Sequence, residues 1–398
     1  MEFDLIQFIN DHGGSELGFV VLIVFLFIVP RILLRIGIPM ALTAFGLGVA
    51  TSFGFNFLDG DNVIPTFSTL GIISLFLFAG LEVDLDALKN SYKPLLGHVG
   101  IGTVVLIILA IIVTKLYDLP VGPAVVFALA LATPSTGFIL NNLETSNIPV
   151  EQKYWIKLKA ISAELVALAL LLIFSQTGGI DKTLGSFIII IAMILVLPFL
   201  LKKLSVRLEK LSPGSEFGFI LILALISSVI TKKLGAYYIV GAFIVGMATG
   251  QYKRKYPSVT TDQIFQSLRS FSAFFLPFYF FNSGIKMPIG IFSLESLEIA
   301  LLLLAITLPI KIGTIVLSRR FSFVEEWKDS FSVAVSLTPT LIFGLVLAEI
   351  LKTKMGLSTT LYVGLIIYTL LTTIFSQLIL KIVPVKKELG IFSESMEP

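Results

Sequence analysis

The chain has 398 residues, 56% of them hydrophobic and only 14% charged, with a mean hydropathy of +0.97 and a formal net charge of +3. That balance excludes an ordinary soluble domain and points to an all-α polytopic membrane protein that uses lipid as its solvent. With no cysteine in the chain, disulfides, thiolate metal sites and cysteine nucleophiles are excluded, and the scattered lysines and arginines form no basic block of the kind that binds nucleic acid.

The N-terminal stretch MEFDLIQFINDHGGSE carries acids where a signal peptide would carry bases, so it reads as a mature tail. A bilayer core about 30 Å thick needs roughly 20 apolar helical residues. Thirteen runs of that kind follow, over 17–34, 37–54, 63–81, 94–116, 121–142, 155–175, 184–201, 216–232, 235–251, 264–284, 296–317, 331–350 and 358–383. No loop between them is long enough for a soluble domain. The 17 residues after Lys381 are too few for a fused nucleotide-binding regulator, so any regulatory subunit is expected to be a separate chain.

Basic residues orient the bundle, because lysine and arginine are retained on the cytoplasmic side. With the N-terminus outside, 21 of the 29 fall in inner loops and the C-terminal tail, among them Arg31, Arg35, Lys202, Lys203, Arg207, Lys253, Arg254, Lys255, Arg319, Arg320, Lys386 and Lys387, against 7 outside. The C-terminus is then cytoplasmic, in what reads as a prokaryotic inner (plasma) membrane. Lys311 is left within a span.

The chain also repeats itself. "LTAFGLGVATS" from Leu42 in the second span matches "VGAFIVGMATG" from Val240 in the ninth, at an offset of 198 residues. The third and tenth spans share an aromatic-rich approach to a glycine, Gly80 and Gly284. Thr133-Pro134 followed by Phe138 in the fifth span recurs as Thr338-Pro339 followed by Phe343 in the twelfth. Each pair lies seven spans apart, and an odd shift inverts orientation. The expected organisation is therefore a membrane domain over 1–383, with repeat one at 17–175, a connector helix at 184–201, an inverted repeat two at 216–383, and a cytoplasmic tail at 384–398. Inverted repeats with interrupted helices are the architecture of secondary transporters.

The two Thr-Pro pairs mark the interruptions. Proline removes one helical donor and clashes one turn back, and backbone groups freed within a span cannot face lipid. They must meet one another, water, an ion, or hydroxyls such as Thr133, Ser135, Thr136 and Thr340. A simple kink is the competing reading of either proline alone. Matched pairs in two inverted halves favour crossed half-helices whose ends bring partial charges together.

Charges inside spans are costly and mark functional sites by default. Glu164, in "KAISAELVALALLLIF", lies roughly 15 Å from the inner end of the sixth span by helical rise, and positions 167 and 168 offer it only Ala and Leu. Its structural alternative is a protonated acid hydrogen-bonded within the bundle. Lys311 starts around 12 Å below the inner boundary, where its long stem can snorkel, and Pro309 is placed to open the local backbone. Glu349 reads as a solvated interfacial acid, Glu82, Asp84 and Asp86 as an inner cluster that caps a neighbour or attracts cations, and His98 as structural. No HExxH, Ser/His/Asp set or phosphate loop is present, so neither an enzyme nor a bound cofactor is expected. A buried carboxylate reachable from water can hold either a proton or a hard cation, and competition for one site gives exchange.

These residues resemble the second cation:proton antiporter family, of sodium/proton and potassium-efflux antiporters. The resemblance rests on "LGIISLFLFAGLEVDLDALK", "GAFIVGMATG" with "LPFYFFNSGIKM", and "LTPTLIFGLVLAE", and covers almost the whole chain. It implies a homodimer, a scaffold domain at the dimer interface, a core domain with the crossed helices, elevator-like movement, and a role in pH homeostasis. By position it implies breaks at Thr133-Pro134 and Thr338-Pro339, Glu164 as the ion-binding acid and Lys311 as the core lysine. One departure is Ala163-Glu164, where many relatives carry Asp-Asp, Asn-Asp or Gln-Asp.

The function expected is exchange of a monovalent cation, sodium first and potassium second, for protons at Glu164. Lys311 acts as charge partner or dipole neutraliser, and Thr133, Pro134, Ser135, Thr136, Thr338, Pro339 and Thr340 shape the crossing. No metal other than that transported cation is expected. One-for-one exchange and exchange of two protons per cation both remain open, as does pairing of Lys311 with Glu164. An organic-anion carrier using Lys311, and an uncoupled channel or sensor, are the alternatives.

Overall fold

A backbone surrounded by lipid must satisfy its own polar groups, and a helix does so within one segment. The computed structural model describes residues 16–35, 38–52, 63–145, 148–174, 179–211, 216–234, 237–255, 259–287, 293–323 and 327–382, and no strand occurs among them. The helices are α1 (Glu16–Arg35), α2 (Met40–Ser52), α3 (Val63–Leu81), α4 (Leu85–Asn90), α5 (Tyr92–Tyr117), α6 (Val121–Ala132), α7 (Thr136–Thr145), α8 (Val150–Phe174), α9 (Gly179–Leu211), α10 (Glu216–Lys233), α11 (Tyr238–Lys255), α12 (Val259–Ile285), α13 (Leu294–Phe323), α14 (Trp327–Ser336), α15 (Leu341–Met355) and α16 (Thr359–Ile382). Both terminal tails, with Lys386 and Lys387, lie outside the described residues.

Each expected apolar run coincides with one helix or with a helix pair split by a break. Among the described residues, seven helical stretches are long and apolar enough to cross a membrane, and the bent pair α14–α15 makes up to eight. The others are shorter, like the 13-residue α2, or carry more charge, like α8. The short α4 has no counterpart among the runs. Asp84 starts it by accepting the Ala87 N–H on its carboxylate at 2.9 Å, so this acid caps its own helix.

Contacts divide the chain into two compact units that interleave in sequence. The first comprises 1–83 and 176–290, with α1–α3 and α9–α12. Here α3 packs on α11 and α12, and α2 on α12. The backbones meet at glycines: a Cβ at Gly48 would fall on Phe281 O and one at Gly284 on Phe45 O, while a Cβ at Gly80 would fall on Phe243 O and one at Gly246 on Leu77 O. The two contacts copy each other. The Gly48 Cα lies 3.0 Å from the Cβ position of Gly284, and the Gly246 Cα lies 3.0 Å from that of Gly80. Phenylalanines 67, 271, 274, 275 and 278 fill the space alongside, with neighbouring rings 4.5–6.4 Å apart.

The second unit comprises 84–175 and 291–398, with α4–α8 and α13–α16 described. Its apolar core includes Ile139, Leu143, Ile156, Ala160, Ile315 and Val333 from α7, α8, α13 and α14. α15 packs on α6 and α16, and α13 packs on α5, α6, α14 and α16. Both breaks, Glu164 and Lys311 belong to this unit.

Candidate functional site: the helix crossing and its two charges

The chain leaves helical geometry at residues 133–135, between α6 and α7, and at 337–340, between α14 and α15, where the two halves bend by 42°. Pro134 and Pro339 cannot donate one turn back. Ser135 then joins the breaks twice: its N–H donates to Pro339 O at 2.8 Å, and its hydroxyl accepts the Ile342 N–H at 3.1 Å. All four of Thr133, Ser135, Thr338 and Thr340 are buried.

This joining has a cost. In an unbroken helix the Ser135 N–H would serve Leu131 O, and the Ile342 N–H would serve Thr338 O. Diverting both amides leaves two buried carbonyls at helix C-terminal ends, where the backbone dipoles concentrate negative charge. Lys311 from α13 answers both, its Nζ donating to Leu131 O at 3.3 Å and to Thr338 O at 3.1 Å. The amine therefore turns into the crossing instead of snorkelling to the surface, and α13 runs on through Pro309 without a break.

Leu131 O has a further donor. Tyr368 of α16, fully buried, donates its hydroxyl to that oxygen at 2.9 Å and accepts from Thr307 Oγ1 at 2.9 Å. Thr307 stands one turn before Lys311 on α13, so the network closes on itself. Neither residue belongs to a motif. The one signal in the sequence is a tyrosine in the apolar stretch "GLIIYTLL" of the last span.

Glu164 sits elsewhere. It is 3% exposed on α8, and the hydroxyl of Thr136, the first residue of α7, neighbours its carboxyl group. Glu164 Oε2 and Thr136 Oγ1 are both buried without a hydrogen-bond partner among the described residues. No ion pair between Glu164 and Lys311 occurs among those residues. The carboxyl group lies beside the side chain of the first residue of α7, and the amine meets the carbonyl end of α6 and a carbonyl of the α14–α15 break.

A cavity of about 90 Å³ runs between α5, α6, α8 and α13 and ends at the crossing, lined there by Thr133, Pro134, Ala163 and Lys311. His98 and Ser318 line it as well, so the histidine is a cavity residue as well as a packing one. Ala163 lines this cavity, whereas its neighbour Glu164 does not. Glu349, half-buried on α15, accepts a long hydrogen bond of 3.5 Å from the Tyr362 hydroxyl and lies away from the crossing.

The sequence profile of the sodium/hydrogen exchanger transmembrane family matches residues 18–386. The chain belongs to the sodium/hydrogen exchanger family. It is 23% identical over 386 residues to the probable Na(+)/H(+) antiporter 3 of Methanocaldococcus jannaschii, covering 93% of this chain and 96% of that one. It is 25% identical to the Na(+)/H(+) antiporter of Enterococcus hirae, covering 87% and 92%. The solved structure of the sodium proton antiporter MjNhaP1 from M. jannaschii at pH 8 shares its fold, with a TM-score of 0.66 at 16% identity over 92% of this chain and 95% of that one. These relatives are antiporters, not enzymes, and this exchanger-family chain is an integral membrane protein. Within the family frame, both Thr-Pro breaks, Glu164 and Lys311 fall in one compact unit, and no ion pair joins the two charges among the described residues.

Proposed function

We propose that this protein exchanges a monovalent cation, sodium before potassium, for protons, with Glu164 as the shared site and alternating access of that site to the two sides. The observation that carries the reading is a pair of neighbouring buried oxygens, Glu164 Oε2 and Thr136 Oγ1, that interact with each other but make no well-formed hydrogen bond among the described residues. A carboxylate and a hydroxyl are hard ligands suited to a hard cation, and a proton on the carboxyl group satisfies the same site. Family membership supports cation/proton exchange, and sodium is the ion in both relatives' names.

The site lies in the second unit, which serves as the moving core, and the first unit as the scaffold of a homodimer. Thirteen crossings in two inverted six-helix halves, with the N-terminus outside, complete the topology. The glycine contacts support the inverted repeat, because exchanging the halves maps Gly48 against Gly284 onto Gly246 against Gly80. Since two of the three N–H groups of Lys311 already serve backbone carbonyls, Glu164 alone carries the exchanged ligand and exchange is one-for-one. The same bonding weakens the organic-anion alternative, which needs that amine for its cargo.

The test is proton movement in proteoliposomes containing a pH-sensitive dye, on adding sodium, lithium or potassium, for the unmodified protein and Glu164→Gln. One cation should move protons through the unmodified protein and none through the variant. Full-rate exchange by folded Glu164→Gln would refute the assignment.

A further inference from the structure

The network around Leu131 O is unequal, and that inequality carries a functional consequence. Leu131 O has two donors, Lys311 Nζ and the Tyr368 hydroxyl, while Thr338 O accepts from Lys311 Nζ. If the amine shifts as the cation site loads and empties, Leu131 O stays satisfied and only Thr338 O is stranded. Without the tyrosine hydroxyl, the same shift would strand two buried carbonyls at once. The hydroxyl is itself fixed by Thr307, one turn from Lys311 on α13, so the clamp on α6 moves with the helix that carries the lysine.

We infer that Tyr368 is a positioning residue for exchange: it holds the broken end of α6 on α13 and α16, and it lowers the cost of each excursion of Lys311. The inference rests on the exchange reading above. Tyr368 touches neither Glu164 nor its ligand, so it acts on how fast the cycle turns over and leaves ligand recognition alone.

Tyr368→Phe removes one oxygen and keeps the ring that fills the core. Stranding one more buried acceptor costs about 1–3 kcal/mol, a factor of roughly 5 to 150 in rate. The maximal exchange rate in the dye-loaded proteoliposomes should fall by that factor, while the cation concentration at half-maximal rate moves less than about twofold. Leu131 O keeps Lys311 at rest, and the Thr307 hydroxyl that loses its acceptor can turn to a carbonyl one turn back on its own helix, so thermal stability in detergent should fall by less than the exchange rate does. Thr307→Val, which spares the bond to Leu131 O, should slow exchange less.

An unchanged maximal rate in Tyr368→Phe would overturn the inference. So would a loss that follows a matching loss of stability, a failure of that variant to fold, or an equal effect of Thr307→Val, because each makes the hydroxyl a packing element only. If the unmodified protein moves no protons with any cation, the exchange reading itself fails. Failure of the inference leaves that control intact.

Discussion

Ser135→Ala should disable the crossing more than it loosens the fold. The hydroxyl of Ser135 accepts the Ile342 N–H at 3.1 Å, and Ser135 is 1% exposed and Ile342 3%, so water cannot replace it. A buried donor left without a partner costs about 1–3 kcal/mol. The peptide N–H of residue 135 still reaches Pro339 O, so one of the two links survives. The stranded Ile342 amide has one relaxation open to it, a return to its helical acceptor Thr338 O. That move would displace Lys311 from one of its two carbonyls. The substitution thus reaches the lysine without touching it, and exchange in proteoliposomes should fall roughly 5- to 150-fold if the whole penalty enters the transport step. Ser135→Thr keeps the hydroxyl but adds a methyl to a packed site, at about 1–3 kcal/mol of overpacking. It should lower the thermal midpoint while retaining more exchange than the alanine. If Ser135→Ala exchanges at the full rate, or if the alanine and threonine variants lose exchange in proportion to stability alone, the stitched crossing is not what sets transport.

Gly246→Ala in the first unit would drive a Cβ onto the backbone at Leu77 O, which cannot yield as a side chain can. It should destabilise the protein by about 1–3 kcal/mol or more, seen as early loss of the monodisperse peak after a heat step, whereas Gly97→Ala, with nothing within 4 Å, should be neutral or slightly stabilising. Lys311→Met strands Thr338 O, while Leu131 O keeps Tyr368. It should lower stability by about 1–3 kcal/mol and leave whatever exchange survives at one proton per cation, read from the reversal of dye signal against known gradients. A change in that ratio would place Lys311 on the proton path.

Much of the site could be read from the sequence because breaks and buried charges are exceptions to strong rules. Proline in an apolar run, twice, with threonine before it, predicts where the backbone leaves the helix. A lone Glu164 among alanines and leucines has no local reason to be there. What the residues could not say was the direction of Lys311. Snorkelling and pairing with Glu164 were both open, and the outcome turned on carbonyls whose freedom depends on where two amides go. Backbone groups leave no residue signature. Tyr368 and Thr307 escaped notice for the same reason, because their partner is Leu131 O, and leucine at that position predicts nothing. The short α4 was missed since six residues are too few to show helical periodicity, although its cap at Asp84 is the usual one.

The separation of the two charges bears on why exchange should be obligatory. Lys311 is balanced by two C-terminal carbonyls, and that balance does not involve Glu164. The carboxyl group at the start of α7 therefore answers for its own charge. Loaded with a proton or with a monovalent cation, it carries the same net charge, so both loaded forms meet a similar cost on crossing the low-dielectric interior. Unloaded, it is a bare carboxylate 3% exposed, and the partial charge of one helix end offsets only part of the several kcal/mol that burying an ion costs. In the proposed exchange cycle, a site at Glu164 would then change sides with either ligand and be held back without one. In that cycle a separate lock is not needed for coupling: the penalty on the empty acid supplies it, provided that Lys311, when it shifts, does not come across to pair with the acid.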